Sequence, residues 1–356
     1  MVPFEYVRAG DVASAVELLV EVESAQYLAG GTSQIDLMKE GVSRPERLVD
    51  VSRLEMNGVA LTEDGGLEIG ANERNAAVAR HGLLDGYGAV QEALHSGASQ
   101  QIRNVATMAG NLLQRTRCPY LRHMAEACNK RDPGSGCSAI SGFNRMHAVF
   151  GATDLGGRHE ATCIAVHPSD LAVALAAHDA SVAVEGVGGA RRYAMRDLLR
   201  QPGLTPMRDA NLQRGDLITA IRLPHFSGRS HYIKVRDRAS YAFGLVSCAI
   251  AIELQDERMK TVRIALGGVA SKPWRLAGIE AMLIGEIPTA DLISQAALEA
   301  TRGAHTYPMN DFKIPLIQAL VRRGLMETLG LEAYQGPAGT AFAASIGGMA
   351  GLGEAA

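Results

Sequence analysis

Four of the five cysteines in this chain, Cys118, Cys128, Cys137 and Cys163, fall between residues 102 and 170. The segment between the first and third is a loop by composition, with Asn129-Lys130-Arg131-Asp132-Pro133-Gly134-Ser135-Gly136 at its centre. A loop this long inside a compact domain is functional or unstructured, and thiolates strung along it point to an inorganic group that shapes it. A 4Fe–4S cluster takes four thiolates and tolerates irregular spacing. Structural zinc takes four as well, normally as two close C-x(2–4)-C pairs. The intervals here are 10, 9 and 26 residues, so no close pair exists, which lowers zinc and leaves the cluster open. A third reading, buried cysteines with no shared role, stands level with the cluster on spacing alone, because free Cys is among the most buried residue types. Cys248 lies in the apolar run 245–252 and reads as core.

Two glycine-containing turns offer a different chemistry. Leu28-Ala29-Gly30-Gly31-Thr32-Ser33-Gln34 follows a short strand at 27–29. Paired glycines allow φ > 0 and close backbone approach, and consecutive N–H groups form a nest that suits a phosphate or pyrophosphate. An ordinary tight turn is the plainer reading of a lone Gly-Gly, and without G-x-G-x-x-G a Rossmann fold has no support. Thr107-Met108-Ala109-Gly110-Asn111 is a second small-residue turn.

The elements that must position these residues alternate along the chain. A helix is expected over 11–23 with Asp11 as N-cap. Strands are expected at 48–51 and 67–71, a helix at 87–95, and a helix at 171–177 beside His167-Pro168-Ser169-Asp170. Strands follow at 181–185 and 217–223. Pro224 marks a boundary. Beyond it, strands at 230–235, 244–254 and 262–267 read as an alternating antiparallel meander, with helices near 288–301 and 313–328. From residue 335 Gly and Ala dominate, as in a flexible tail or an arm lying on a partner.

Composition excludes several classes. The chain has 356 residues, enough for two or three domains, with 47% hydrophobic and 21% charged residues. A formal charge of −3 and 5% aromatics argue against a nucleic-acid partner. Five cysteines cannot all pair internally, which points to a reducing compartment. The N-terminus lacks the pattern of a signal peptide, and the run 245–252 is too short to span a bilayer. A soluble cytoplasmic chain is the expectation, with periplasmic export by a signal-bearing partner as the alternative.

In their order, these segments resemble the FAD-binding medium subunits of the molybdenum hydroxylases, the family of xanthine dehydrogenase and carbon monoxide dehydrogenase. Residues 28–33 resemble that family's first pyrophosphate loop, Ile102-Arg103-Asn104 through Leu112 its second, and His167-Pro168-Ser169-Asp170 its ribityl segment. Lys234-Val235-Arg236-Asp237-Arg238, Ser240-Tyr241, Gly267-Gly268-Val269-Ala270 and Lys272-Pro273-Trp274-Arg275 resemble its C-terminal domain. The cysteine insert is similar to that of the branch with an extra 4Fe–4S cluster, as in bacterial aldehyde oxidoreductases carrying molybdenum–cytosine dinucleotide.

The resemblance implies an α+β fold of two FAD-binding subdomains, vanillyl-alcohol-oxidase/PCMH-like, followed by a small domain of three antiparallel strands with packed helices. The subdomains would cover 1–57 and 58–225, the latter with the Fe–S loop 114–147; the C-terminal flavoprotein domain would cover 226–330 and the tail 331–356. It implies FAD held by Leu28, Ala29, Gly30, Gly31, Thr32, Ser33 and Gln34, by Thr107, Gly110 and Asn111, and by Asp170 and Lys234, with Tyr241 over the ring. For Asp170 the plainer role is N-cap of the following helix. Ala109 stands where the family has Gly, and its methyl is expected to crowd the phosphate. Cys118, Cys128, Cys137 and Cys163 would bind the cluster, with Arg115, Arg117, Lys130 and Arg131 near its sulfurs and His123 and His147 close by.

The implied function is electron transfer within a heterotrimer. A molybdopterin subunit oxidises an aldehyde or N-heterocycle, a small subunit with two 2Fe–2S clusters relays the electrons, and FAD here passes them to an external acceptor. A stand-alone FAD oxidase and a four-cysteine zinc module are the alternatives, and no general base is evident for the former.

Overall fold

The computed structural model describes residues 1–152 and 163–331; the Gly/Ala-rich stretch from 335 lies outside them. β1 (Glu5–Arg8), β2 (Gln26–Leu28) and β3 (Arg47–Asp50) form a parallel sheet in the order β1-β3-β2. The helix Val12–Glu21 connects the first two. Asp11 caps it by accepting from Ser14 N at 2.7 Å, while the Ser14 hydroxyl accepts from Asp11 N at 3.0 Å. That reciprocal pair satisfies two otherwise orphaned donors and fixes where the helix starts.

β4 (Val59–Leu61), β5 (Leu67–Gly70), β6 (Ser181–Glu185), β7 (Arg191–Ala194) and β8 (Leu217–Leu223) form an antiparallel sheet in the order β4-β5-β8-β6-β7. The long excursion between β5 and β6 carries the helix Gly88–Ser96, the second glycine turn, the cysteine loop and the helix Asp170–Ala177. Leu171 through Ala177 are all buried, so this last helix is apolar on every side and runs through the middle of the protein.

β9 (Arg229–Val235), β10 (Val246–Gln255), β11 (Arg258–Gly267) and β12 (Trp274–Arg275) form the third sheet, in the order β12-β11-β10-β9. The expected three strands gain a fourth, only two residues long. The expected polar/apolar alternation in β10 is absent, since Val246 through Ile252 are all buried. The strand alternates instead between two cores. Ala249 and Ala251 join the core that includes the helix Asp170–Ala177, while Cys248, Ile250 and Ile252 join one completed by the helices Ala277–Leu283, Ala290–Glu299 and Lys313–Leu329. Small residues face the close central helix and large ones face the wider space. Cys248, 1% exposed, is core as expected.

Candidate functional site

The first glycine turn emerges from β2. Gly31 has φ +73°, in the left-handed region that glycine enters without strain. Gly30 has a different reason to lack a side chain: a Cβ there would collide with the Val105 carbonyl. The first loop and the approach to the second therefore run in direct backbone contact. The helix Gln34–Lys39 starts at once, and the Ser33 hydroxyl at its head is buried without a partner. A donor left over at a helix N-terminus suits an anion.

The second turn is held by side chains. Thr107 Oγ1 accepts from Gly110 N at 3.2 Å and caps the helix Met108–Leu112. Asn111 Oδ1 accepts from Gln114 Nε2 at 2.8 Å and from the Ser169 hydroxyl at 2.7 Å. Ser169 Oγ in turn accepts from Ala172 N at 3.0 Å, so Ser169, not Asp170, is the N-cap of the helix Asp170–Ala177. His167 Nε2 stands 3.1 Å from the Leu112 carbonyl. The His-Pro-Ser-Asp segment is thus stitched to the second turn, and Asp170 is free for another role. Its Oδ2 lies 2.7 Å from Lys234 Nζ and its Oδ1 accepts from the Tyr232 hydroxyl; Lys234 also donates to Ser96 O at 3.1 Å. The Lys234 side chain is 3% exposed and that of Asp170 11%, which makes this a buried ion pair.

Between the turns opens a cleft of about 650 Å³. Thr32, Ser33, Gly110, Asn111, Asp170 and Lys234 share its wall. Leu28, Ala29, Gly30 and Gly31 are not among its lining residues, and Thr107 is buried with its hydroxyl on the cap. The Gln34 amide bonds to Gln26 and Ser43. Ala109 packs against the first core and does not line the cleft, so its methyl does not crowd the space expected for phosphate. Tyr241 lines the mouth at φ +50° and 54% exposure, with the Arg238 guanidinium 5.7 Å from its ring centre. Sequence reasoning missed Asp36, Asn75 and Phe243 here. Asn75 Oδ1 is buried without a partner. Asp36 holds Arg117 at 2.8 Å, and the Arg117 guanidinium lies 5.3 Å from the Phe243 ring centre. No local pattern marks these residues, because only the fold brings them together.

The cleft continues into an apolar cavity of about 240 Å³, sharing Arg117, Met146, Pro168, Asp170 and Phe243 with it. The inner end closes on Cys118 and His147. On the far side, Cys118, Cys128, Cys137 and Cys163 all line one small cavity with Thr116, Lys130 and His147. The backbones of Cys128 and Cys137 pair in an isolated antiparallel β-bridge, and Cys118 Sγ lies 3.2 Å from His147 Nε2. Burial pushes the Cys118 thiol up to about 12 and the Cys163 thiol to about 11, and raises Cys137. At neutral pH these sulfurs are protonated unless a metal displaces the protons. Among the described residues, no three or more His, Cys, Asp or Glu converge on a single metal ion. A larger open groove of about 1230 Å³ beside the helix Val12–Glu21 contains none of these residues.

Three of the basic residues of the loop also serve as tethers. Lys130 Nζ bonds to Asp209 and the Pro206 carbonyl, both at 2.6 Å. Arg115 meets Asp209 at 2.9 Å. Arg131 donates to the carbonyls of Tyr120 and Leu121 at 2.9 Å, of His123 at 3.1 Å, and of Glu126. Burial works against the Asp209 carboxylate, but Lys130 and Arg115 outweigh it and hold the carboxyl below its usual range.

Residues 2–226 match the family described as the FAD binding domain in molybdopterin dehydrogenase, and residues 231–328 match the CO dehydrogenase flavoprotein C-terminal domain. The chain is 46% identical over 286 residues to the aldehyde oxidoreductase FAD-binding subunit PaoB of Escherichia coli, covering 80% of this chain and 86% of that one. It is 25% identical to the glyceraldehyde dehydrogenase medium chain of Sulfolobus acidocaldarius, covering 93% and 97%. The reconstituted CO dehydrogenase from Oligotropha carboxidovorans shares the fold, with TM-score 0.70 at 22% identity over 93% of this chain and all of that one. This α+β flavoprotein chain, with FAD as its cofactor, belongs to the family of FAD-binding medium subunits of the molybdenum hydroxylases.

Proposed function

We propose that the chain is the electron-transfer flavoprotein of an aldehyde-oxidising molybdenum hydroxylase. Its partners are a molybdopterin-bearing large subunit and a small subunit with two 2Fe–2S clusters, and it carries a 4Fe–4S cluster beside its own flavin. The observation that carries this reading is the continuous path of cavity wall from the glycine turns to four cysteines around one space. The aldehyde comes from the 46% identity to PaoB, named as an aldehyde oxidoreductase subunit.

Backbone donors of Thr32 and Ser33, with the unpartnered Ser33 hydroxyl, hold the pyrophosphate, and Gly110 and Asn111 line the wall across from them. Asp170, its charge balanced by Lys234, accepts from sugar hydroxyls. FAD bound there supplies a carrier that takes electrons singly and gives them up in pairs. The donor set on the inner side, four thiols around one small space, is the kind that a 4Fe–4S cluster takes. Five free thiols suit assembly in the cytoplasm.

The test uses the assembled complex and the isolated chain, each mixed anaerobically with an aldehyde. Flavin bleaching in the complex alone is the expected result. Bleaching in the isolated chain identifies a stand-alone oxidase instead. Zinc in place of iron identifies the four-cysteine zinc module.

A further inference from the structure

One side chain beside the cysteines has hydrogen-bonding capacity that the site described so far does not use. His147 is 3% exposed. Its Nε2 lies 3.2 Å from Cys118 Sγ, while its Nδ1 is buried without a partner. His147 lines both the cysteine cavity and the apolar cavity into which the flavin cleft continues.

The residue is locked from behind by the C-terminal part of the chain. Its N–H donates to Asn144 O at 2.9 Å, and its carbonyl accepts from Lys313 Nζ at 2.8 Å and Asn310 Nδ2 at 3.3 Å. Lys313 is fully buried and also donates to Gly268 O at 2.6 Å. Among the described residues no carboxylate pairs with it, although burying an ammonium without one is costly. A buried lysine bonded to these two carbonyls fixes them in place, and with them the His147 backbone.

A neutral imidazole has one N–H, and its partners decide which nitrogen carries it. A thiolate bound to iron has no proton to give, so the nitrogen facing it must be the donor. Hydrogen bonds to a cluster's sulfurs and nearby positive charge stabilise the reduced cluster, which is the more negative form.

We propose that His147 donates its Nε2–H to the Cys118 sulfur and that Lys313 positions it, so that together they raise the reduction potential of the iron–sulfur cluster. The proposal rests on the cluster reading above. His147 is then a tuning residue for a redox centre that one apolar cavity separates from the flavin cleft.

The experiment is a redox titration of the full flavin-loaded chain followed by electron paramagnetic resonance, after iron and flavin have been counted. It compares wild type with His147→Leu, His147→Gln and Lys313→Met. The cluster potential should fall in His147→Leu, return most of the way in His147→Gln, whose amide can donate, and fall by less in Lys313→Met. The flavin potential should move less than the cluster potential in every variant. Unchanged cluster potentials at full iron content overturn the proposal and leave the cluster reading intact. A wild type without iron overturns both. If His147→Leu loses its iron, Lys313→Met decides, since it leaves the ring and all four cysteines in place: a lowered potential supports the proposal and an unmoved one overturns it.

Discussion

The flavin cleft and the cysteine cavity, joined through an apolar cavity, are built in opposite ways. Backbone shapes the cleft. Gly30 lies against the Val105 carbonyl, Gly31 sits in the left-handed region, and one buried ion pair closes the far side. Side chains shape the cavity. Lys130, Arg115 and Arg131 tie its loop to Asp209 and to a row of carbonyls. A dinucleotide brings its own shape and charge and needs a cleft that exists beforehand. A cluster is assembled in place and needs a loop held open from outside. The flavin and the proposed cluster should therefore be separable by mutation.

The sharpest separation is Cys128→Ala, which should abolish the proposed cluster while leaving flavin bound at full stoichiometry; iron analysis and absorbance of the same sample read both. Lys234→Met attacks the other side. It leaves the Asp170 carboxylate buried with only Tyr232, and stranding one member of a buried pair costs about 3–5 kcal/mol. Flavin affinity should collapse and iron should persist, as fluorescence titration and iron counting will show. Gly30→Ala places a methyl against rigid backbone and should cost about 1–3 kcal/mol, seen as a lower melting temperature and weaker flavin binding.

The smallest effect tests a contact outside both sites. His231 lies 2.8 Å from Glu92 and 2.9 Å from Glu327, bridging the helices Gly88–Ser96 and Lys313–Leu329. Burial lowers its pKa, but Glu92 and then Glu327 outweigh that and raise it above 6.5. A raised histidine pKa contributes stability that is complete below about pH 6.5 and is lost as pH rises through the folded value. The site is partly exposed, so the contribution should stay under about 1 kcal/mol. Melting temperatures measured across this range should fall less steeply in His231→Gln than in wild type.

Much of the scaffold was legible in the sequence. Asp11 and the apolar stripe behind it mark the first helix, and runs of β-branched residues mark β6 and β8. β1 and β4 were missed because they are short and largely exposed, so the alternation that a buried face imposes is missing. β10 was placed correctly but its burial was misread, since a strand between two cores alternates in size and not in polarity. At the site, the glycine turns and cysteines stood out because their chemistry is local. Asn75, Asp36 and Phe243 did not, because their role depends on elements far apart in the chain meeting at one cleft. Lys130, Arg115 and Arg131 also tether the loop, the first two through Asp209 far off in sequence, while Lys130 lines the cysteine cavity; a charge's partner cannot be read from its own neighbourhood.

The central claim is that one chain holds two cofactors side by side. Anaerobic purification of the isolated chain, followed by an absorbance spectrum and by flavin and iron analysis, tests it most directly. One FAD and four irons per chain, with a broad visible band that dithionite bleaches, is the predicted result. Flavin without iron, with all four cysteines still titrating as free thiols, would contradict it.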